Sequence, residues 1–236
     1  MYENIETLWR DTLAKNPQAW MAHNNLGTEL TRQGRFQEAI DSHLEALRLR
    51  PGQPKIYNSL GNLETTLGNT GSAERYYREA LRLMPDYADA HYNLANLYSD
   101  RNDPEVAAEL YREALRLDPT MGRAAYNLGV IEESKGDIDR ASRYFLQAAQ
   151  VDPDFSPAYF NLAALCERQN DFEGAVTYYE KAIAVNPDYA PAHYNLAILF
   201  YETADYRAAW RHVHAARRLG VPLPPDFVAA LSQRRA

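Results

Sequence analysis

Apolar residues recur along the chain in two stripes that repeat every 34 residues. Prolines at 17, 51, 85, 119, 153 and 187 set the register, and each repeat is numbered from the third residue after its preceding proline. Position 7 is leucine in every repeat, at Leu26, Leu60, Leu94, Leu128, Leu162 and Leu196. Positions 20 and 27 are alanine, at Ala39, Ala73, Ala107, Ala141, Ala175 and Ala209 and at Ala46, Ala80, Ala114, Ala148, Ala182 and Ala216. Because positions 4, 7, 8 and 11 share one helix face and positions 20, 24, 27 and 28 share another, each repeat predicts a helical hairpin.

Small and aromatic columns complete this pattern. Position 8 is glycine or alanine in every repeat, so the two backbones can approach closely there. Position 24 is aromatic in four repeats and fills the space between them, at Tyr77, Tyr111, Phe145 and Tyr179, with His43 and Val213 in the first and last repeats. Position 15 is glycine or asparagine, types that tolerate the left-handed conformation ending a helix, and only Ala204 departs from it.

These columns resemble the signature of the tetratricopeptide repeat family over residues 20–223. The resemblance implies an all-α, right-handed superhelical solenoid of antiparallel helix pairs, because a single hairpin cannot bury its apolar faces. The predicted organisation is a leading helix at 1–19, repeats at 20–53, 54–87, 88–121, 122–155, 156–189 and 190–223, and a capping helix at 224–236. Asp226 is the predicted N-cap of that last helix.

The opening segment fits the second half of a repeat, with Trp9 at position 24. One interpretation is a lone helix that seals the first hairpin. The other is that the chain is cut from a longer protein, because LWRDTLAKNPQAWMAHNNLG (8–27) resembles the junction in bacterial multi-pass membrane glycosyltransferase-like proteins with a C-terminal repeat array.

In this family the first helices line the inner surface, and two columns follow it. The resemblance implies an amide ladder at position 6: Asn25, Ser59, Asn93, Asn127, Asn161 and Asn195. It also implies an aromatic ladder at position 5: Tyr92, Tyr126, Phe160 and Tyr194. Amides can pair with a peptide backbone of any sequence, as in the similar asparagine ladder of O-linked N-acetylglucosamine transferases. The alternative is that these side chains only satisfy neighbouring backbone groups.

The charge balance narrows the class of partner. A net charge of −7 with no basic stripe argues against nucleic acid. The inner positions carry nearly balanced charges, which favours neutral or mixed-charge peptides. Position 6 lacks the arginines of the carboxylate clamp found in members that bind chaperone tails.

No catalytic, metal or cofactor site is predicted. His23, His91 and His193 are separated by whole repeats, and Cys166 at position 11 is interpreted as an inert packing thiol. No apolar run reaches the roughly 18 residues of a membrane helix, so no direct membrane insertion is expected in this segment. The compartment is not assigned: cytoplasmic is the default, and membrane-tethered follows if the chain is part of a larger protein.

The predicted function is a non-catalytic scaffold that binds a protein or peptide segment in its inner groove. One alternative is the regulatory or substrate-positioning region of a bacterial membrane-bound glycosyltransferase-like protein. Another is an assembly scaffold that associates weakly with itself, because the leading half-repeat leaves an apolar face open.

Overall fold

The computed structural model describes residues 4–234, which form fourteen α-helices and no strand. By contacts the chain divides into two compact units, Met1–Pro119 and Thr120–Ala236. The helices of the first unit are α1 (Ile5–Lys15), α2 (Trp20–Arg32), α3 (Phe36–Leu49), α4 (Pro54–Thr66), α5 (Thr70–Leu83), α6 (Ala88–Asp100) and α7 (Pro104–Leu117). Those of the second are α8 (Gly122–Ser134), α9 (Ile138–Val151), α10 (Ser156–Arg168), α11 (Phe172–Val185), α12 (Ala190–Glu202), α13 (Tyr206–Arg218) and α14 (Pro225–Ser232).

Within each unit the helices pack as consecutive antiparallel pairs. The pairs are α2/α3, α4/α5 and α6/α7 in the first unit, and α8/α9, α10/α11 and α12/α13 in the second. The alanines of positions 20 and 27 are fully buried. Close approach at position 8 explains its small residues: a Cβ added to Gly61 would lie 2.4 Å from the Tyr77 ring, and one added to Gly129 would lie 2.5 Å from the Phe145 ring.

The turn inside each hairpin uses the left-handed conformation predicted for position 15. Gly34, Gly68 and Gly136 have φ of 76°, 79° and 82°, and Asn102 and Asn170 have φ of 59° and 61°. Ala204 adopts the same conformation, with φ of 62°. The residue type at position 15 therefore differs in repeat 6, but the backbone conformation does not. An alanine pays a steric cost there that glycine avoids.

The terminal helices lie against their neighbouring hairpins. In the first unit α1 packs on α2, with Trp9 and Leu13 against the core that contains Leu26 and Leu30. In the second unit Leu231 of α14 is buried in a cluster with Val213 and Leu223. The prediction that Asp226 caps α14 is wrong, because the helix begins one residue earlier at Pro225. Proline suits this first position because its fixed φ is already helical.

Candidate peptide-binding surface

In the first unit the predicted ladder residues lie half-buried on the first helices of the pairs. Asn93 on α6 donates its Nδ2 hydrogen to Oδ1 of Asn58 on α4 at 3.0 Å. Asn25 accepts a long 3.5 Å bond from Asn24, and the Ser59 hydroxyl donates to the backbone of its own helix at 3.0 Å. A side chain of the neighbouring repeat therefore orients the Asn93 amide, whereas the hydrogen bonds of Asn25 and Ser59 are made within their own helices.

The second unit repeats the lateral arrangement. Nδ2 of Asn161 on α10 donates to the Tyr126 hydroxyl on α8 at 3.3 Å, and Nδ2 of Asn195 on α12 donates to the Tyr179 hydroxyl on α11 at 2.7 Å. Asn127 lies half-buried on α8. For Asn161 and Asn195 the partners are side chains of the preceding repeat and not the backbone groups of the alternative interpretation. These bonds orient both amides.

The aromatic ladder packs against the aromatic residues of position 24. Tilted ring pairs join positions 5 and 24 of one repeat at 5.5–5.8 Å between centroids, in Tyr92–Tyr111, Tyr126–Phe145 and Phe160–Tyr179. A second ring lies edge-on to two of them, in Tyr126–Phe155 at 5.1 Å and Phe160–Tyr189 at 5.6 Å. Tyr194 packs against the cluster of Val213. The ladder rings are thus half-buried supports of each hairpin that keep one part of their surface exposed.

Two ion pairs lie near the ladders, one in each unit. In the first unit Arg32 bonds Glu29 at 2.6 Å and holds the pKa of this buried carboxyl below its usual range. In the second unit Arg168 Nη1 lies 3.3 Å from Glu133 Oε1. Glu167 instead accepts a 2.8 Å bond from the Tyr179 hydroxyl, and burial raises its pKa.

The histidines of position 4 have a structural partner that repeats along the chain. Nε2 of His23, His91 and His193 lies 3.0, 2.8 and 3.1 Å from the carbonyl oxygen of the proline six residues earlier. An Nε2–H donor satisfies this carbonyl and joins the first helix to the preceding turn. Nδ1 of His193 is then the acceptor for Nδ1–H of His212, 2.9 Å away on α13. The sequence prediction missed this last contact, although the recurrence of histidine at position 4 pointed to a shared role.

The remaining candidates for chemistry are placed as follows. Cys166 is half-buried, and burial together with Asp171 raises the pKa of its thiol, which disfavours the reactive thiolate. Among residues 4–234 no three His, Cys, Asp or Glu side chains are grouped to hold a metal ion. Within the same residues no helix has the length and apolar character needed to cross a membrane.

Comparison with sequence families identifies the class of protein. Models of the tetratricopeptide repeat match residues 21–86, 58–122, 93–154 and 144–177, and a further model described as TPR repeat matches 166–203. These matches cover well over half of the chain, and the chain belongs to the tetratricopeptide repeat family. The fold is that of a protein–protein interaction scaffold. No curated protein sequence matches the chain.

Solved structures share this fold at low sequence identity. PilF of Pseudomonas aeruginosa superposes with a TM-score of 0.77 at 20% identity, over 92% of this chain and 98% of its own. PilW, a widely conserved type IV pilus biogenesis factor, gives 0.70 at 21% identity, over 91% and 99%. YrrB, a TPR protein with an unusual peptide-binding site, gives 0.63 at 21% identity, over 78% and 95%.

Proposed function

We propose that the protein is a non-catalytic scaffold whose amide and aromatic ladders bind an extended peptide segment. The observation that carries the proposal is the lateral hydrogen bonding of Asn161 and Asn195. A side-chain amide has two N–H donors and a carbonyl acceptor. One donor of each is used to fix its orientation, so a second donor and the carbonyl oxygen remain to pair with a peptide backbone. Fixing the side chains in advance lowers the entropy cost of binding.

The strength of such binding is limited by the amides alone. Each neutral hydrogen bond contributes roughly 1 kcal/mol net, so five contacts give about −5 kcal/mol before ordering costs. That corresponds to sub-millimolar affinity at best. A specific peptide therefore also uses the exposed parts of the aromatic ladder, which add apolar contact.

The charge pairing supports a neutral or mixed-charge peptide. Glu29 and Glu133 each have an arginine partner, so neither offers an uncompensated charge to a ligand. A strongly acidic or basic segment would have to break one of these two pairs to form an ion pair with its members.

The test compares three forms of the chain with peptides selected from a random display library. The ladder variant carries Asn127→Ala, Asn161→Ala and Asn195→Ala. The matched control carries Arg143→Ala, Leu146→Ala and Gln150→Ala on the exposed side of α9. Circular dichroism first establishes that all three are equally folded, and fluorescence polarisation then measures Kd.

Removing three bonds of roughly 1 kcal/mol each weakens binding by about a hundredfold in the ladder variant, with the control unchanged. The proposal is wrong if the ladder variant binds the selected peptides as tightly as the wild type, or if the control loses binding equally.

The two alternative functions stay predictions. Hydrophobic spans encoded just upstream of residue 1 would support a region of a membrane glycosyltransferase-like protein. A strictly monomeric protein in concentrated solution, measured by light scattering, would contradict the self-associating scaffold.

A further inference from the structure

The tyrosines of position 24 cross their hairpins and place a hydroxyl group among polar side chains of the first helices. Tyr77 donates to Asn62 Oδ1 at 2.8 Å, and Tyr111 donates to Asn96 Oδ1 at 2.6 Å, both at position 9 of their repeats. The Tyr179 hydroxyl reaches position 12 of its repeat, and it also accepts from position 6 of the next repeat. The hydroxyl groups therefore meet polar side chains at position 9 or 12 of their own repeat and, for Tyr179, also at position 6 of the next repeat.

Repeat 1 lacks this hydroxyl, because His43 occupies position 24. The His43 ring is only 1% exposed, and its buried Nδ1 atom finds no hydrogen-bond partner among the described residues. Burial lowers the pKa of His43 to about 4, so the ring is neutral near pH 7. An imidazole is also shorter than a phenol, so it does not reach the positions that receive a tyrosine hydroxyl elsewhere.

An open cleft of about 380 Å³ lies at those positions in the first unit, with His43 in its wall. Thr28 and Thr31 line it from positions 9 and 12 of repeat 1, and Ser59 and Asn62 line it from positions 6 and 9 of repeat 2. Positions 9 and 12 of the same repeat contact the Tyr77 hydroxyl, and position 12 of the same repeat and position 6 of the next contact the Tyr179 hydroxyl. The cleft therefore coincides with the place of a missing phenol.

The lining suits a neutral hydroxylated ring. The Thr31 and Ser59 hydroxyls donate to their own helix backbones at 2.8 and 3.0 Å, which leaves their oxygens as acceptors for a ligand O–H. Glu29, also in the lining, is neutralised by Arg32, so an anionic or cationic group gains no unpaired counter-charge.

We propose that this cleft binds the side chain of a tyrosine in the partner peptide, whose phenol replaces the one that His43 does not supply. The inference rests on the proposed function, because the cleft lies beside Ser59 of the amide ladder. It adds recognition of one particular side chain to the backbone contacts of the amide ladder and the apolar contacts of the aromatic ladder.

The first test uses small probes, so its outcome is independent of any peptide. N-acetyl-tyrosinamide and N-acetyl-phenylalaninamide are titrated separately into the ¹⁵N-labelled full chain, and backbone amide shifts are followed by NMR. The tyrosine probe should shift the amides of Thr28, Thr31 and Ser59 in a saturable way. The phenylalanine probe lacks one neutral hydrogen bond, so its affinity should be roughly fivefold lower than that of the tyrosine probe.

The decisive variant is His43→Tyr, which recreates in repeat 1 the glycine and tyrosine pair of Gly61 and Tyr77. It should remain folded and fill the cleft with its own ring, so binding of the tyrosine probe is lost. Leu44→Tyr is the matched control, because it adds a tyrosine at an exposed position of the same helix and leaves the cleft open. If His43→Tyr does not fold, Thr31→Val is used in its place. It should lower the affinity for the tyrosine probe to that for the phenylalanine probe.

The proposal is overturned if the wild type shows no saturable shift at the cleft, if both probes bind equally, or if the variant that fills the cleft binds as the wild type does. Such a result leaves peptide binding by the ladders intact, since the library peptides test it separately. Conversely, the ladder variant could bind the library peptides as tightly as the wild type. The cleft would then still bind phenols, but it would not belong to a peptide-binding groove formed by the ladders.

Discussion

Adding one methyl group at Gly129 should destabilise the α8/α9 hairpin by forcing apart its closest contact. The new Cβ would lie 2.5 and 2.6 Å from Cε1 and Cδ1 of Phe145, and that ring is fully buried. Contacts under 3.0 Å require the ring to move by the better part of an ångström. Overpacking of this kind costs roughly 1–3 kcal/mol. Alanine also gains about 1 kcal/mol of helix propensity over glycine, which opposes part of this cost.

A second glycine separates these two effects. Gly71 lies in α5 with no atom within 4 Å of an added Cβ, so Gly71→Ala should show a propensity gain without a steric cost. We therefore expect Gly129→Ala to unfold more easily than Gly71→Ala by roughly 1–3 kcal/mol. Phe145→Val should relieve the clash by removing the ring, as in repeat 6 with Ala197 and Val213. Repeats 3 and 5 combine alanine with tyrosine at these positions, so the cost applies to a hairpin already packed around glycine.

The assay is urea unfolding followed by far-ultraviolet circular dichroism for the single variants, the Gly129→Ala/Phe145→Val double variant and the wild type. A double-mutant cycle then gives the coupling between the two positions. Equal stability of Gly129→Ala and Gly71→Ala, or a coupling near zero, would refute the close approach of the two helices at position 8.

Two further predictions follow from the backbone and from burial. Ala204→Gly should raise the free energy of unfolding by about 0.5–1 kcal/mol, because glycine adopts φ of 62° without the steric cost of a Cβ; a lower midpoint in urea would contradict this. Burial lowers the pKa of both His43 and His212 to about 4 from 6.5, so the unfolded chain binds more protons between these values. Stability should be complete above pH 6.5 and fall towards pH 4, by up to about 3 kcal/mol for each histidine. Urea midpoints measured from pH 7.5 to 4.5 check this, His43→Tyr should flatten the profile, and an unchanged midpoint over that range would refute it.

The ladders show how far the sequence prediction of a site can reach. Columns 5 and 6 place Tyr126 and Asn161 on first helices, because the repeat length alone assigns them to equivalent helical positions. Their hydrogen bond to one another depends on the distance between neighbouring repeats, which the repeat length does not supply. The packing of the position-5 rings against position 24 likewise needs the separation of two helices.

The sequence by itself determined the helical hairpins, their register and the close approach at position 8, because these follow from residues within a few helical turns and from side-chain size. Ala204 adopts the left-handed conformation that its register at position 15 predicts, although alanine disfavours that conformation. Only the tertiary structure decided where side chains meet across helices: Asn93 with Asn58, His193 with His212, and an open cleft where His43 is too short. The reason is physical, since a partner 19 or 35 residues away is chosen by reach and burial, and neither is encoded in one residue's identity.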